Sequence, residues 1–155
     1  MGLFDFFRKK VKPFDNKYVF DKAKYHDNSI EQMGLSEEQA FVHTGLFFAW
    51  LVNNALMSDF FIEETGSEIE QLKDKKISPS TIYMNWDGVL IGEMLSNKGF
   101  NFAMSYFDFD KGRYLNDYAK VFNLTDENIF TVSDTWENYE KLRPTIDAAF
   151  ESWRK

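Results

Sequence analysis

His43 is the residue with the clearest potential for chemistry in this 155-residue sequence. It lies in the most apolar segment of the chain, where a polar side chain needs a partner because burying a bare polar group costs on the order of 1–3 kcal/mol. Asn54 follows eleven residues later, close to three helical turns, and Trp50 falls on or near the same stripe. The imidazole is suited to act as a general base or ligand contact, but a core histidine bonded to a carbonyl or carboxylate is the favoured interpretation.

Two carboxylates, Asp87 and Asp117, complete the candidate pocket because each lies among polar and aromatic residues. Together with His43 they could perform general acid–base catalysis, and Trp86 would line the same pocket. This hypothesis requires the three titratable side chains to converge. In the alternative, Asp87 caps a turn, Asp117 lies on a solvated helix face, and the neighbouring aromatic residues belong to the core or to an interface.

Several other kinds of chemistry find no support in the sequence. There is no cysteine, no Gly-x-Ser-x-Gly nucleophile motif and no glycine-rich phosphate loop. His26 and His43 are the two histidines of the chain, so a multi-histidine zinc site is not predicted. Residues 108–112 resemble the start of a calcium loop, but Arg113 and Ala119 stand where glycine and glutamate are needed. We therefore expect no catalytic residue of these classes, no metal ligand and no cofactor.

The net charge of −7 is unevenly distributed along the chain. The first twelve residues carry a net +3 and the remainder a net −10. No lysine or arginine occurs between Lys24 and Lys73. That stretch holds the carboxylates Asp27, Glu31, Glu37, Glu38, Asp59, Glu63, Glu64, Glu68 and Glu70.

An acidic surface of this kind repels phosphate backbones, so nucleic-acid binding is not expected. It attracts a cationic protein and accelerates its docking. The candidate partner-binding residues are Asp59, Glu63, Glu64, Glu68 and Glu70. The alternative is that these charges only keep a phenylalanine-rich protein in solution.

The elements that must position these residues are predicted to be mainly helical. Leu46–Val52 is apolar on all sides, which indicates a buried central helix over about residues 37–57. Ser36 with Gln39 gives its start a capping-box pattern. We expect a compact, single-domain, mainly α fold around this helix with at most a few short strands, of which Ile129–Val132 is one candidate run.

Other local signals place the remaining elements. Residues 13–34 are predicted to be irregular, and residues 100–109 favour a helix over a strand. Pro144 is expected to kink or split the last helix. Further helix starts are predicted at Ser67, Ser78 and Asp134.

The chain divides into a basic amphipathic arm, residues 1–12, and a single globular domain, residues 13–155. The longest purely apolar run, Leu46–Val52, is far shorter than the ~20 residues that span a bilayer. The basic residues of the arm follow its apolar residues, the reverse of a secretory signal. We therefore expect a cytoplasmic protein in which residues 2–12 make at most weak contact with a membrane surface.

Short motifs spread over the chain carry a family resemblance. They are Phe41-Val42-His43-Thr44-Gly45, Trp50-Leu51, Trp86-Asp87-Gly88, Tyr114-Leu115-Asn116-Asp117-Tyr118 and Asp134-Thr135-Trp136-Glu137-Asn138-Tyr139. In these motifs the sequence resembles an uncharacterised bacterial domain family of unknown function, over roughly residues 18–155. The resemblance implies no catalytic residue. By analogy, small acidic bacterial proteins of this type are similar to immunity proteins, which are encoded beside toxins.

The function predicted from the sequence is an acidic protein-binding module. It would be an immunity protein that neutralises a cognate bacterial toxin by occluding the active or binding surface of that toxin. The expected partner is a basic toxin domain. The alternative is an enzyme with a cryptic site around His43, Asp87 and Asp117.

Overall fold

The structure, a computed structural model, describes residues 14–155, so the basic arm predicted for residues 1–12 lies outside the described residues. In chain order its elements are β1 (Val19–Lys22), α1 (Asp27–Gln32), α2 (Val42–Asn53), α3 (Asp59–Thr65), α4 (Glu68–Lys73), α5 (Thr81–Asn85), β2 (Val89–Ile91), α6 (Asn97–Tyr106), α7 (Tyr114–Phe122) and α8 (Trp136–Trp153). Short 3₁₀ turns occupy Ala23–His26, Glu37–Phe41 and Gly92–Met94. The prediction of a mainly helical fold is confirmed.

The central helix α2 is buried along almost its whole length, as predicted: every residue of Val42–Val52 is buried. Its bounds are shorter than the predicted 37–57, because residues 37–41 form a 3₁₀ turn and Ser36 accepts no capping hydrogen bond. The helix ends where the side-chain amide of Asn54 donates to the carbonyl of Trp50 and Ala55 adopts a left-handed conformation with φ 57°. A side chain that satisfies a terminal carbonyl thus ends the helix earlier than hydrophobicity indicates.

Aromatic side chains fix the helices around α2. Phe47 on α2 stacks on Phe107, with ring centroids 4.6 Å apart, and lies 5.2 Å from Tyr114 on α7. The Tyr114 hydroxyl donates to the backbone carbonyl of His43, so α7 is bonded directly to the central helix. Since each buried aromatic side chain removes roughly 150–250 Å² from water, this layer contributes a large share of the hydrophobic stabilisation. It also fixes the backbone that carries His43.

The small sheet consists of β1 and β2, which pair antiparallel with Lys22 opposite Val89. The region predicted to be irregular, residues 13–34, therefore contains a strand and a helix. No strand forms at Ile129–Val132. Instead, the side-chain amide of Gln39 donates to the carbonyls of Phe130 and Val132, at 2.6 and 2.9 Å, in place of a neighbouring strand.

The contacts of Asp134 show that the predicted starts of two helices, at Ser78 and at Asp134, are wrong. Asp134 does not cap α8; it accepts hydrogen bonds from the Ser78 hydroxyl and the Ser80 backbone N–H. The side chain of Thr135 caps α8 instead, by accepting from the backbone N–H of Asn138. Since Ser78 and Ser80 are held by Asp134, the helix predicted to start at Ser78 begins only at Thr81.

The remaining local predictions have mixed outcomes. Residues 100–109 are helical through Tyr106, which confirms the helix preference, and α4 follows Ser67 as expected. Pro144 lies inside α8 without splitting it. The fully buried side chains of Leu142 and Ile146 flank Pro144 and hold both halves of the helix against the core, so packing outweighs the lost hydrogen bond.

A glycine allows α2 and α5 to pack closely. A Cβ atom added at Gly45 would lie 2.1 Å from Ser80 Oγ, 2.4 Å from its Cβ and 3.0 Å from its Cα. The last contact involves the backbone, so rotating the serine side chain does not relieve the overlap. The position at which α5 crosses the central helix therefore depends on a residue without a side chain.

The Gly45→Ala substitution is expected to destabilise the protein by about 1–3 kcal/mol, the usual cost of overpacking, although alanine favours helices. Denaturant unfolding followed by circular dichroism measures the change. The matched control is Gly34→Ala, whose Cβ would meet nothing within 4 Å and whose cost is limited to backbone strain at φ 67°. Equal or greater stability of Gly45→Ala than of the parent protein would contradict the close packing.

Candidate functional site

Three chain segments bring one carboxylate and two imidazoles together in the interior. Asp21 comes from β1, His26 from the 3₁₀ turn that follows it, and His43 from the first turn of α2. In β1 both Phe20 and Asp21 are buried, although neighbouring residues of a regular strand face opposite sides. The strand pairing shifts register between Val19 and Asp21, and this irregularity accompanies the inward placement of the aspartate.

The Asp21 cluster, defined here as Asp21, His26 and His43, is a two-sided hydrogen-bonded group. His26 Nε2 lies 2.9 Å from Asp21 Oδ1, and His43 Nε2 lies 3.5 Å from Asp21 Oδ2. The hydroxyl of Thr44 donates to Oδ2, so this helix residue fixes the orientation of the carboxylate. The two imidazole rings meet edge to face with centroids 4.6 Å apart.

Burial and mutual contact set the protonation of the cluster. Burial alone would raise the pKa of the Asp21 carboxyl, but the hydrogen bonds from His26 and His43 outweigh it and hold that pKa well below its ordinary value. Burial lowers the pKa of His43, and the Asp21 carboxylate offsets this only in part. At neutral pH the cluster therefore contains an ionised carboxylate beside a neutral His43 imidazole.

Two polar groups in this cluster, the Asp21 carboxylate and the His43 imidazole, lack part of the charge or hydrogen-bond partners that buried polar groups usually have. Asp21 is 0 % exposed, and within residues 14–155 its ion-pair contacts are with histidines, not with lysine or arginine. His43 is 2 % exposed, and its Nδ1 atom is without a hydrogen-bond partner in the described structure. The favoured sequence interpretation, a core histidine bonded to a carboxylate, fits Nε2 but leaves Nδ1 unexplained.

Two aromatic side chains from loops cover the imidazoles. Phe130 lies 5.3 Å from both the His26 and the His43 rings, and Phe109 lies 6.2 Å from His26 and 6.4 Å from His43, measured between centroids. The His26 side chain remains 17 % exposed, so the cluster has an edge at the surface. Such an apolar shell excludes water and strengthens electrostatic interactions inside it.

The predicted pocket around His43 takes a different form in the structure. Trp50 Nε1 donates to Asp147 Oδ1 at 2.8 Å, and the Asn54 amide donates to the carbonyl of Trp50. These two residues are therefore bonded to each other and to α8, whereas His43, about two to three turns earlier along the chain, contacts Asp21.

The two carboxylates predicted beside His43 have other contacts. Asp87 is exposed in a left-handed turn with φ 61°, and it lines a surface cleft together with Lys24. Asp117 accepts a hydrogen bond from Tyr106 at 2.8 Å and pairs with Arg113 at 3.4 Å. No contact within residues 14–155 joins either carboxylate to the His43 imidazole.

The predicted partner-binding carboxylates lie on two consecutive short helices. Asp59, Glu63 and Glu64 are exposed on α3, and Glu68 and Glu70 belong to α4. Glu68 accepts a hydrogen bond from Asn85, and Glu70 lies 4.0 Å from Lys73. For Asp59, Glu63 and Glu64 no ion pair forms with any other described residue.

Exposed apolar side chains occupy the same helix α3. Phe60 is 47 % exposed and Ile62 is 45 % exposed, whereas Phe61 is fully buried against Trp86. Trp86, the remaining residue of the predicted pocket, is thus a core contact of α3. We call Asp59, Phe60, Ile62, Glu63 and Glu64 the acidic helical surface.

Sequence reasoning missed Asp21 and His26 as members of a site. Asp21 lies within a short run of β-forming residues in a region predicted to be irregular, and no spacing links His26 to His43. The signal that was available is the shortage of histidine: the chain has two, and the structure brings both to one carboxylate.

Protonation of His43 is expected to couple stability to pH. In the unfolded chain an imidazole binds a proton below its ordinary pKa of about 6.5, whereas the buried His43 resists protonation. The free energy of unfolding should therefore fall as the pH drops below that value, by at most about 2 kcal/mol between roughly pH 7 and pH 5. The Asp21 carboxyl, whose pKa is lowered, contributes to stability down to a more acidic pH. Denaturant unfolding measures this dependence, with a chelator present so that trace metal ions do not bind the imidazoles.

The His43→Gln variant is the comparison, since glutamine keeps polar atoms but does not titrate. It leaves the rest of the chain unchanged, so the difference in slope between the two proteins isolates His43. Identical pH dependence in the two proteins would contradict the assignment of a neutral, proton-resistant His43.

Comparison with known proteins gives one match. No curated protein and no solved structure matches the chain. The family model described as a domain of unknown function, DUF7832, matches residues 19–132, and this span contains all members of the Asp21 cluster and the acidic helical surface. The match extends over more than half of the sequence, so the chain belongs to the DUF7832 family of domains of unknown function.

Proposed function

We propose that the protein is an acidic protein-binding module, and specifically a cytoplasmic immunity protein that neutralises a cognate bacterial toxin by covering its active or binding surface. The observation that carries the proposal is the acidic helical surface, in which unpaired carboxylates and exposed apolar side chains occur on one short helix. The analogy with small acidic immunity proteins supplies the class of partner.

The charges of this surface are free to act on a partner. Asp59, Glu63 and Glu64 form no ion pair with the other described residues, and α3 contains no basic residue. Carboxylates that are not neutralised within their own molecule produce a field that steers a positively charged protein and accelerates encounter. A purely solubilising role would not require exposed phenylalanine and isoleucine on the same helix.

The apolar part of the surface offers a place for an anchoring side chain. Ile62 lines a depression of about 160 Å³ together with Val52, Met57 and Ile69, and Glu70 and Lys73 also line it. A depression of this size accommodates one apolar side chain. Interfaces derive most of their affinity from a few anchors of this kind, surrounded by a polar rim.

The partner that fits this surface is a basic protein segment with an apolar side chain among its lysines and arginines. Its cations would pair with Asp59, Glu63 and Glu64 while the apolar side chain enters the depression beside Ile62. Binding of a toxin through such a segment would block access of an anionic substrate to the same basic surface.

We do not propose an enzyme with a site at His43, Asp87 and Asp117, because these side chains have different neighbours. His43 contacts Asp21, Asp87 lines a surface cleft, and Asp117 contacts Tyr106 and Arg113. Membrane insertion is not part of the proposal either. Within residues 14–155, none of the helices combines the length and the apolar character that a membrane span requires.

Removing two charges from the acidic helical surface is expected to slow association with the partner. The test protein is the Glu63→Gln/Glu64→Gln double variant, and the partner is the basic toxin domain that the proposed function predicts to be encoded beside this gene. Stopped-flow measurements should show a decrease in association rate of about 3–10-fold at low salt that disappears at high salt.

The matched control is Asp126→Asn/Glu127→Gln, which removes two exposed carboxylates from the loop after α7 and changes the net charge equally. This control should associate nearly as fast as the parent protein. Equal slowing by both variants would indicate a net-charge effect and contradict the assigned surface. Absence of any complex with the neighbouring toxin domain would contradict the immunity function.

Truncating an apolar residue of the surface is expected to act on dissociation instead. Phe60→Ala removes an exposed ring whose nearest aromatic contact, Trp86, is 6.4 Å away, so the fold should tolerate it. Loss of an interface anchor costs about 1–2 kcal/mol, which corresponds to a dissociation rate about 5–30-fold higher. Surface plasmon resonance measures this rate, and an unchanged rate would remove Phe60 from the interface.

A further inference from the structure

The Asp21 cluster has the composition and spacing of a three-residue metal site. One ligand atom from each of Asp21, His26 and His43 lies within 4.8 Å of the other two. Two imidazole nitrogens and a carboxylate oxygen form a donor set that suits zinc and related divalent ions, whereas magnesium and calcium prefer oxygen ligands alone.

The distances are close to those that a small ion requires. In a tetrahedral zinc site with bonds of ~2.0–2.1 Å, neighbouring ligand atoms lie about 3.3–3.4 Å apart. His26 Nε2 lies 2.9 Å from Asp21 Oδ1 and His43 Nε2 lies 3.5 Å from Asp21 Oδ2, so the two imidazoles face different carboxylate oxygens at separations on either side of this value. Because the ligand atoms of the three residues all lie within 4.8 Å of one another, rotations of the carboxylate and imidazoles would bring them to the separations that an ion requires.

The charge of the cluster supports the same conclusion. A carboxylate that is 0 % exposed normally needs a full positive charge nearby, and Asp21 contacts two imidazoles instead. A divalent cation would supply that charge. The bond from Thr44 to Oδ2 would then hold the carboxylate in orientation, as residues around metal ligands commonly do.

The unpartnered nitrogen of His43 is an independent observation. In a stabilising core histidine both ring nitrogens usually find partners, yet His43 Nδ1 has none in the described structure and Nε2 has only a contact of 3.5 Å. Hydrogen bonds from the described residues therefore leave the position of this imidazole incompletely stabilised. A strong bond from a ring nitrogen to a metal would offset this deficit.

We propose that Asp21, His26 and His43 bind one divalent transition-metal ion of the zinc class, with a fourth position open to solvent at the exposed edge of His26. Phe109 and Phe130 lie against the imidazole rings and would limit access of water from the other sides. The ion would join β1, the 3₁₀ turn and α2, and so stabilise the packing of the sheet on the central helix. The proposal is independent of the protein-binding function.

The experiment uses the full-length, untagged protein after treatment with a chelator. Isothermal titration with Zn²⁺ should show one site, and Co²⁺ should produce the visible absorption of a low-coordinate cobalt ion. A Zn²⁺ excess of about a hundredfold over the dissociation constant should raise the melting temperature by about 5–10 °C.

The test variant is His26→Gln, because His26 is the least buried of the three ligands and its replacement preserves the core. It should retain the circular dichroism of the parent and lose the site. The control is Asp74→Asn, which removes an exposed carboxylate outside both the Asp21 cluster and the acidic helical surface and should bind Zn²⁺ like the parent protein.

A measurement on the parent protein covers the case in which His26→Gln fails to fold. Nuclear magnetic resonance of the imidazole nitrogens should show ring nitrogens of both His26 and His43 shifting with one equivalent of Zn²⁺. Absence of stoichiometric binding, binding that persists in His26→Gln, or shifts in neither imidazole would each overturn the proposal.

Discussion

The burial of the Asp21 carboxylate is the constraint on which much of this structure depends. An ionised group without access to water must be compensated by several donors at once, and these come from the turn at His26 and from His43 and Thr44 at the start of α2. The small sheet is therefore fixed to the central helix by a polar contact as well as by apolar packing. This restricts where α2 begins, how far it lies from β1 and which side chains can cover the junction.

The aromatic layer around Tyr114 and the Asp21 cluster both contact His43. Tyr114 donates to the carbonyl of His43 from one side, while the His43 imidazole turns toward Asp21 on the other. A shift of α7 would therefore move the backbone of a cluster residue. The acidic helical surface is separate from this arrangement, since Phe61 and Trp86 attach α3 to the core through a different set of contacts.

The parts of the fold that follow from local sequence were predictable. The all-round apolar run Leu46–Val52 indicates a buried helix whatever the topology, and the five carboxylates remain close because they are close in sequence. The Asp21 cluster was not predictable, since it depends on a strand pairing between β1 and β2 and on a turn that follows it. The early end of α2 before Asn54 and the contact of Asp134 with Ser78 likewise come from side-chain hydrogen bonds. The spacing of hydrophobic residues does not predict such bonds.

The last helix has a consequence for where this domain ends. The family model matches residues 19–132, yet Leu142, Ile146 and Phe150 of α8 belong to the same hydrophobic core as Leu46 and Phe47. Asp147 also supplies the acceptor for the indole N–H of Trp50. A fragment cut to the limits of sequence similarity would expose one wall of the central helix to water. The segment that matches the family model is therefore shorter than the segment needed to bury the hydrophobic core.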